Sequence, residues 1–155
     1  KTGQQLFFLP PSKIDAFCCI TYRDRQQEEK CMVKGDDILG RLISHAVAVV
    51  KVCGTLPKNR TSTHIANQLL RSGTAAAPNY AEARSGESRQ DFLHKLGVVR
   101  KELNETMVWL EMLKCLELTS SDTLAPLMRE GDELCRIIAA SIKTASGRST
   151  GADTH

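Results

Sequence analysis

The chain has 155 residues, of which 41% are hydrophobic, 25% are charged and only 5% are aromatic. This length suits one domain with a single core, and the scarcity of aromatic residues favours Leu- and Ala-lined helix packing over a β-sandwich or barrel. Because 21 lysines and arginines face 18 acidic residues, the net charge of +3 excludes a strong field around the whole molecule, and a nucleic-acid role would need a local basic patch.

The first 35 residues show no sustained periodicity, and we expect a poorly ordered N-terminal extension over residues 1–35. The first methionine, Met32, directly precedes the first amphipathic pattern, which indicates that natural translation starts there. The short apolar run before Pro10-Pro11 is not a signal-peptide core, and no apolar run approaches the ~18 residues of a membrane span. We therefore predict a cytoplasmic protein with no membrane contact.

A first helix is predicted from Asp36, where two acidic residues suit the positive end of the helix dipole. Gly54 and Pro57 end it. Apolar residues spaced by three and four define its inner face, namely Ile38, Leu42, Ala46, Val49, Cys53 and Leu56.

A second helix follows the turn at residues 57–60, with an N-cap at Thr61, Ser62 or Thr63. Pro78 lacks an amide donor, so we expect a kink or break near Ala77. The inner face is built from small and mildly apolar residues, namely Ile65, Leu69, Ser72, Ala76, Tyr80 and Ala83.

A third helix begins at a capping box formed by Ser88 and Asp91 and runs to about Leu118. Its inner face consists of Phe92, Leu96, Val99, Leu103, Met107, Leu110 and Leu113. A further apolar set widens the arc beyond what one core needs, namely Leu93, Val98, Val108, Trp109 and Met112. This second set predicts another packed surface.

A fourth helix has Pro126 in its first turn and a face of Leu127, Gly131, Leu134, Ile138, Ile142 and Ala145. We expect a flexible tail over residues 146–155. Four long helices with short links predict an all-α fold, an up-down-up-down antiparallel four-helix bundle over residues 36–145.

Nothing in the sequence predicts a catalytic, cofactor or metal site. A di-iron bundle needs a Glu-x-x-His motif on each of two helices, but Asp91-x-x-His94 stands alone and His45 and His64 have no acid three residues earlier. The six cysteines, Cys18, Cys19, Cys31, Cys53, Cys115 and Cys135, lack zinc-site spacing. We expect them to be reduced and buried, and we expect no enzyme.

Several runs in the last three helices resemble one protein family. They are 65–74, 79–83, Ser88-x-x-Asp91-Phe92-x-His94-Lys95-Leu96, Lys101-Glu102, Glu105-Thr106, Trp109-Leu110 and 140–144. From Asp36 to Ala145 the chain resembles the bacterial four-helix bundle proteins encoded by 23S rRNA intervening sequences. The resemblance implies an up-down bundle that assembles as a homopentamer, with no known enzymatic activity.

A more distant relation links that family to the accessory proteins of diversity-generating retroelements, which carry basic surfaces and bind a reverse transcriptase and nucleic acid. Our first expectation is a non-enzymatic homo-oligomer, a pentamer by resemblance, that presents a surface to a protein partner. The alternative is an RNA- or DNA-binding accessory protein of an enzyme such as a reverse transcriptase. Its candidate contacts are Arg84, Arg89, Arg100 and Lys101, among which acidic residues are interleaved.

The polar residues of the family runs have structural interpretations, with a ligand pocket in the ring as the functional alternative. Small residues let a neighbouring helix approach, and a freed backbone group near Pro78 needs a partner. Lys95, Glu102 and Glu105 are expected to form ion pairs with Arg71 or Arg84, within or between subunits. The candidates for structural or interface roles are Arg71, Ser72, Gly73, Thr74, Asn79, Glu82, Lys95, Glu102, Glu105 and Trp109.

Overall fold

The structure is a computed structural model that describes residues 35–147. This part of the chain forms four α-helices and no strand: α1 (Asp36–Thr55), α2 (Arg60–Arg84), α3 (Arg89–Cys115) and α4 (Ser121–Gly147). The predicted all-α fold is confirmed. The expected extension up to residue 34, with the start at Met32, and the tail from residue 148 lie outside the described residues, whereas α4 continues to Gly147.

Each helix packs against two neighbours. α1 and α3 each pack against α2 and α4, while across residues 35–147 no Cα atoms of a diagonal pair approach within 8 Å. Contacts between α1 and α2 run in opposite sequence directions: Asp36 at the start of α1 pairs with Arg84 at the end of α2, and Cys53 near the end of α1 bonds to Ala66 near the start of α2. These two helices are therefore antiparallel.

The core lies in two layers along the bundle. One layer contains Leu42, Leu96, Leu103, Leu134 and Ile138. The other contains Val49, Leu69, Leu110, Leu113 and Leu124. All four helices contribute leucines to these layers, and burial of such apolar surface is the main favourable contribution to folding.

The helix starts depend on side-chain caps. Ser88 accepts a hydrogen bond from the Asp91 amide at 3.1 Å, which confirms the predicted start of α3. The predicted cap of α2 is wrong, because Asn59 accepts from the Ser62 amide at 2.8 Å and α2 begins at Arg60. Asparagine is among the strongest N-cap residues and its extended backbone suits that position.

The structure tests the predictions made for both prolines inside helices. Of the kink or break expected near Ala77, the break does not occur, because α2 continues through Pro78. The exposed proline ring faces solvent while Ala76 and Tyr80 on either side are buried, so core packing holds the helix together. Pro126 lies in the second turn of α4 rather than the first, because α4 begins at Ser121.

Burial confirms the predicted inner face of α2 in full and that of α1 in part. All six residues predicted to face inward from α2 are buried. In α1, His45 and Val52 occupy the core, whereas Ala46 and Cys53 are only half-buried. The expectation that the cysteines are buried is wrong for Cys115, which is exposed at the end of α3, while Cys53 and Cys135 are half-buried. The other three, Cys18, Cys19 and Cys31, lie outside the described residues.

Candidate interaction surfaces

The outer side of α1 carries a row of exposed apolar residues. Ile43, Val47 and Val50 are 41%, 46% and 46% exposed, and their spacing places them on one side of the helix, away from the buried residues. We call this set the α1 stripe. By length and composition alone, α1 is also long and apolar enough to cross a membrane, a property that core helices of soluble proteins share.

A second exposed row lies on α3 and at its end. Val108, Met112 and Leu116 are 54%, 43% and 52% exposed, and we call them the α3 stripe. The prediction of a second apolar surface on this helix holds for Val108 and Met112, whereas the other three residues of the predicted set are half-buried. Leu116 was missed because the predicted pattern stopped before the C-cap of α3.

The two stripes are separated from each other within one copy of the bundle. α1 and α3 occupy diagonal corners, and over the described residues none of their Cα atoms approach within 8 Å of each other. Both stripes also point away from the core. One copy therefore presents two distinct apolar surfaces to its surroundings, and neither can cover the other.

A polar cluster joins α2 to α3 next to the α3 stripe. Arg71 pairs with Glu105, and its guanidinium lies 3.6 Å from Glu102. The Trp109 ring nitrogen donates to the Glu105 carboxylate at 3.3 Å. The hydrogen bond from Arg71, followed by that from Trp109, lowers the pKa of Glu105. The predicted pairing of Arg71 with Glu102 and Glu105 thus occurs within one copy.

The side chain of Trp109 connects this cluster to the start of α2. Its ring meets the edge of the His64 ring with the centroids 6.2 Å apart and the planes at 79°. Edge-to-face packing of this kind is a favourable arrangement of aromatic rings. It holds the half-buried indole between the two helices, beside the α3 stripe.

Small residues allow α2 to approach both of its neighbours closely. Ser72 faces α3, where the Thr106 hydroxyl donates to its oxygen at 3.1 Å in the core. Gly73 faces α1, where an added Cβ would lie 2.7 Å from a methyl group of Val49. Thr74 is exposed and donates to the Leu70 carbonyl at 2.6 Å, so it does not reach the backbone beside Pro78.

The remaining predicted interface residues have partners on their own or a neighbouring helix. Lys95 pairs with Glu82 at 2.5 Å, and its predicted pairing with Arg71 or Arg84 is wrong, because all three side chains are cations. Arg84 pairs instead with Asp36 of α1. Asn79 donates to the carbonyl one turn earlier, at Ala75, at 2.9 Å.

The four candidate nucleic-acid contacts fall into two groups. Arg84 is engaged by Asp36, and Arg89 donates to the Ala145 carbonyl at 2.7 Å and to the Ser146 carbonyl at 3.0 Å at the end of α4. These two cations therefore stabilise helix contacts and a helix terminus. Arg100 and Lys101 are exposed on α3, and neither forms an ion pair within residues 35–147.

His45 is the titratable residue that the sequence pattern missed. It is 3% exposed, and its Nε2 has no hydrogen-bond partner among the described residues. Burial lowers the pKa of His45, against the opposing effects of the Leu127 carbonyl and Glu130. The burial of His45 was predictable from its spacing, because position 45 follows Leu42 by three residues and precedes Val49 by four. Over residues 35–147, no group of three or more histidine, cysteine or acidic residues is placed to hold a metal ion.

Residues 37–140 match the sequence profile of the 23S rRNA-intervening sequence protein family. Among solved structures, the chain is similar to a protein of unknown function from the S23 ribosomal protein family of Bacteroides thetaiotaomicron VPI-5482. The two chains are 30% identical, with a TM-score of 0.67 over 72% of this chain and 99% of that one. No curated protein matches the chain. The distant relation to accessory proteins of diversity-generating retroelements stays a prediction.

Proposed function

The chain belongs to the 23S rRNA-intervening sequence protein family, as its sequence predicts, and from this premise we propose that it is a non-enzymatic homo-oligomeric module. In this proposal, copies assemble in the cytoplasm through the α1 and α3 stripes. The assembled ring then presents its remaining surface to a partner protein.

The observation that carries this proposal is the pair of exposed apolar stripes on diagonal corners of one bundle. Each of the six side chains is about half exposed, so hiding the rest is worth roughly 1 kcal/mol per side chain. Their sum, several kcal/mol per copy, is large enough to offset part of the cost of association.

The separation of the stripes favours a head-to-tail contact. A two-fold dimer that pairs one stripe with itself leaves the other stripe in water. When the α1 stripe of one copy meets the α3 stripe of the next, both are covered, and such contacts close into a ring or extend into a filament. The five-membered ring implied by the family resemblance satisfies this requirement.

The basic residues support self-assembly over nucleic-acid binding. Arg84 and Arg89 have partners within the bundle, which leaves Arg100 and Lys101 of the predicted contacts. Glu105 lies one turn from Lys101 on α3 and weakens the attraction of that surface for phosphate.

The test compares the mass in solution of the full chain with that of single charge insertions. We expect the wild type to elute as an oligomer by size-exclusion chromatography with light scattering at micromolar concentration. Val47→Glu and Met112→Glu, one in each stripe, should lower the mass. Ser44→Glu places the same charge on an exposed part of α1 outside the stripe and should leave the mass unchanged.

Mixing the two variants tests the head-to-tail geometry. A Val47→Glu copy keeps its α3 stripe and a Met112→Glu copy keeps its α1 stripe, so an equimolar mixture should form a two-subunit species absent from either sample alone. A monomeric wild type would contradict the proposal. The proposal would also be contradicted if both single variants remained oligomeric and their helicity, measured by circular dichroism, were unchanged. A salt-sensitive gel shift of RNA by the monomer would favour the alternative function.

A further inference from the structure

The junction of α1, α3 and α4 contains a buried histidine with an unsatisfied nitrogen. His45 projects from α1, and its Nε2 would lie 3.1 Å from a Cβ placed on Gly131 of α4. The Met107 sulfur of α3 would lie 2.5 Å from the same point. The space that glycine leaves open on α4 is thus filled by an imidazole from one side and a thioether from the other.

Neutral imidazole is the form that this site accommodates. An imidazolium has two N–H donors, and Nε2 has no hydrogen-bond partner among the described residues, while the Leu127 carbonyl favours the protonated ring less than burial disfavours it. The adjacent thioether is only a weak acceptor. Burying a charge without a hydrogen-bonded partner is costly, so the protonated ring favours any arrangement that brings it to water.

The charged groups around His45 do not supply a free counter-ion. On α1 the nearby cation is Arg41, and on α4 the nearby acid is Glu130, while α3 contributes the uncharged Met107. Both oxygens of Glu130 already accept from Arg41, at 2.8 and 3.1 Å. Asp37 and Glu133 act on Arg41 from farther away.

The contact between α1 and α4 is the smallest of the four helix interfaces. The Arg41–Glu130 pair lies at its edge with the side chains 31% and 37% exposed. α1 is held independently on its other side, where Val49 packs against Gly73 and Asp36 pairs with Arg84. Separation of α1 from α4 would therefore expose His45 without dismantling the α1/α2 or α2/α3 contacts.

We propose, independently of self-association, that His45 is an acid-sensitive latch, and that its protonation separates α1 from α4 while α2 and α3 remain packed. The neutral ring closes the interface, and the charged ring is stable only when the interface opens to water. In the open state, the imidazolium would reach solvent next to the carboxylate of Glu130.

The latch operates in a defined pH range. The folded-state pKa of His45 is lowered below 6.5, so the closed state binds fewer protons than the open state. The stability contributed by the closed interface is complete above about pH 6.5 and falls as the pH drops below that value. The equilibrium constant for opening should rise about tenfold per pH unit below 6.5, until the closed state itself becomes protonated.

Amide hydrogen exchange of the full chain tests the latch at about pH 7.5 and about pH 5.5, two values on either side of the ordinary histidine pKa. After correction for intrinsic exchange rates, we expect peptides from the facing turns of α1 and α4 to lose about tenfold in protection at the lower pH. The Lys95–Glu82 region of the α2/α3 interface should keep its protection.

Two substitutions separate His45 from the other histidines. His45→Leu keeps a buried side chain of similar size that cannot be protonated, and should remove the pH response. His64→Gln alters an exposed histidine and should respond as the wild type does. NMR titration of His45 in the wild type decides the matter if His45→Leu does not fold. A His45 pKa at or above 6.5 would overturn the latch, as would an equal loss of protection in all four helices.

Discussion

Replacing Gly73 by alanine probes the closest approach between two helices in the bundle. Gly73 is buried on α2, and the added Cβ would lie 2.7 Å from one methyl carbon of Val49 and 3.2 Å from two further carbons of that side chain. Val49 has no exposed surface. Its branched side chain has one strongly preferred rotamer in a helix, so it cannot turn away, and α1 itself must shift.

Two opposing effects determine how much Gly73→Ala changes the free energy of unfolding. Overpacking a core by a methyl group costs about 1–3 kcal/mol. Alanine in place of glycine within a helix recovers about 1 kcal/mol. Because the contact at 2.7 Å involves a rigid side chain, we expect the first effect to prevail and Gly73→Ala to lower the free energy of unfolding by about 1 kcal/mol.

Gly97→Ala is the matched control. Gly97 is exposed in α3, and an added Cβ there meets no atom within 4 Å. This variant should gain the helix-propensity contribution alone and be stabilised by up to about 1 kcal/mol. Urea denaturation at one protein concentration measures both variants, since self-association would make stability concentration-dependent.

The difference between the two variants isolates the contact with Val49. It should reach about 1–3 kcal/mol, with Gly73→Ala the less stable. Val49→Ala makes room for the new methyl group, so Gly73→Ala should cost less in that background than in the wild type. Equal stabilisation by Gly73→Ala and Gly97→Ala would refute the close approach of α2 to α1.

Two further predictions concern polar contacts. Thr106→Val removes the donor to Ser72 and should cost about 1 kcal/mol, whereas Thr74→Val, at an exposed threonine bonded only to its own helix, should change stability by less than about 0.5 kcal/mol in urea denaturation. The Arg41 hydrogen bond lowers the pKa of Glu130, so the stability from this pair is present above the unfolded value and is lost as the pH falls through the lower folded value. The stability gap between wild type and Arg41→Met should therefore narrow below about pH 4.5. A stability difference between wild type and Arg41→Met that does not change with pH would contradict this prediction. So would a difference that narrows by the same amount when Glu130 is replaced by glutamine.

Much of the fold follows from local sequence signals. The inner face of α2, from Ile65 to Ala83, is predicted residue by residue, because residues that repeat with the 3.6-residue period of the helix lie on one side of it. The start of α3 at Ser88 follows for a similar reason, since a cap acts on amides within its own turn. The resemblance that the last three helices carry is confirmed as family membership.

The errors occur where several local choices were equally good. Three hydroxyl residues were candidates for the cap of α2, but the structure places Asn59 there, directly after a turn in which its amide bonds to the Pro57 carbonyl. Pro78 would break an isolated helix, yet the buried residues around it keep α2 continuous. The cost of a proline in a helix interior, about 3 kcal/mol, is offset by the core packing of the neighbouring residues.

The sequence by itself determined the helices, the faces they bury and the family to which the chain belongs, because each depends on residues close together in the chain. Only the tertiary structure decided which side chains meet: Arg84 with Asp36, Ser72 with Thr106, and His45 with the space above Gly131. It also placed the two apolar stripes on diagonal corners. These pairings depend on the rotation and axial position of one helix against another, which are set by the packing of all four helices together.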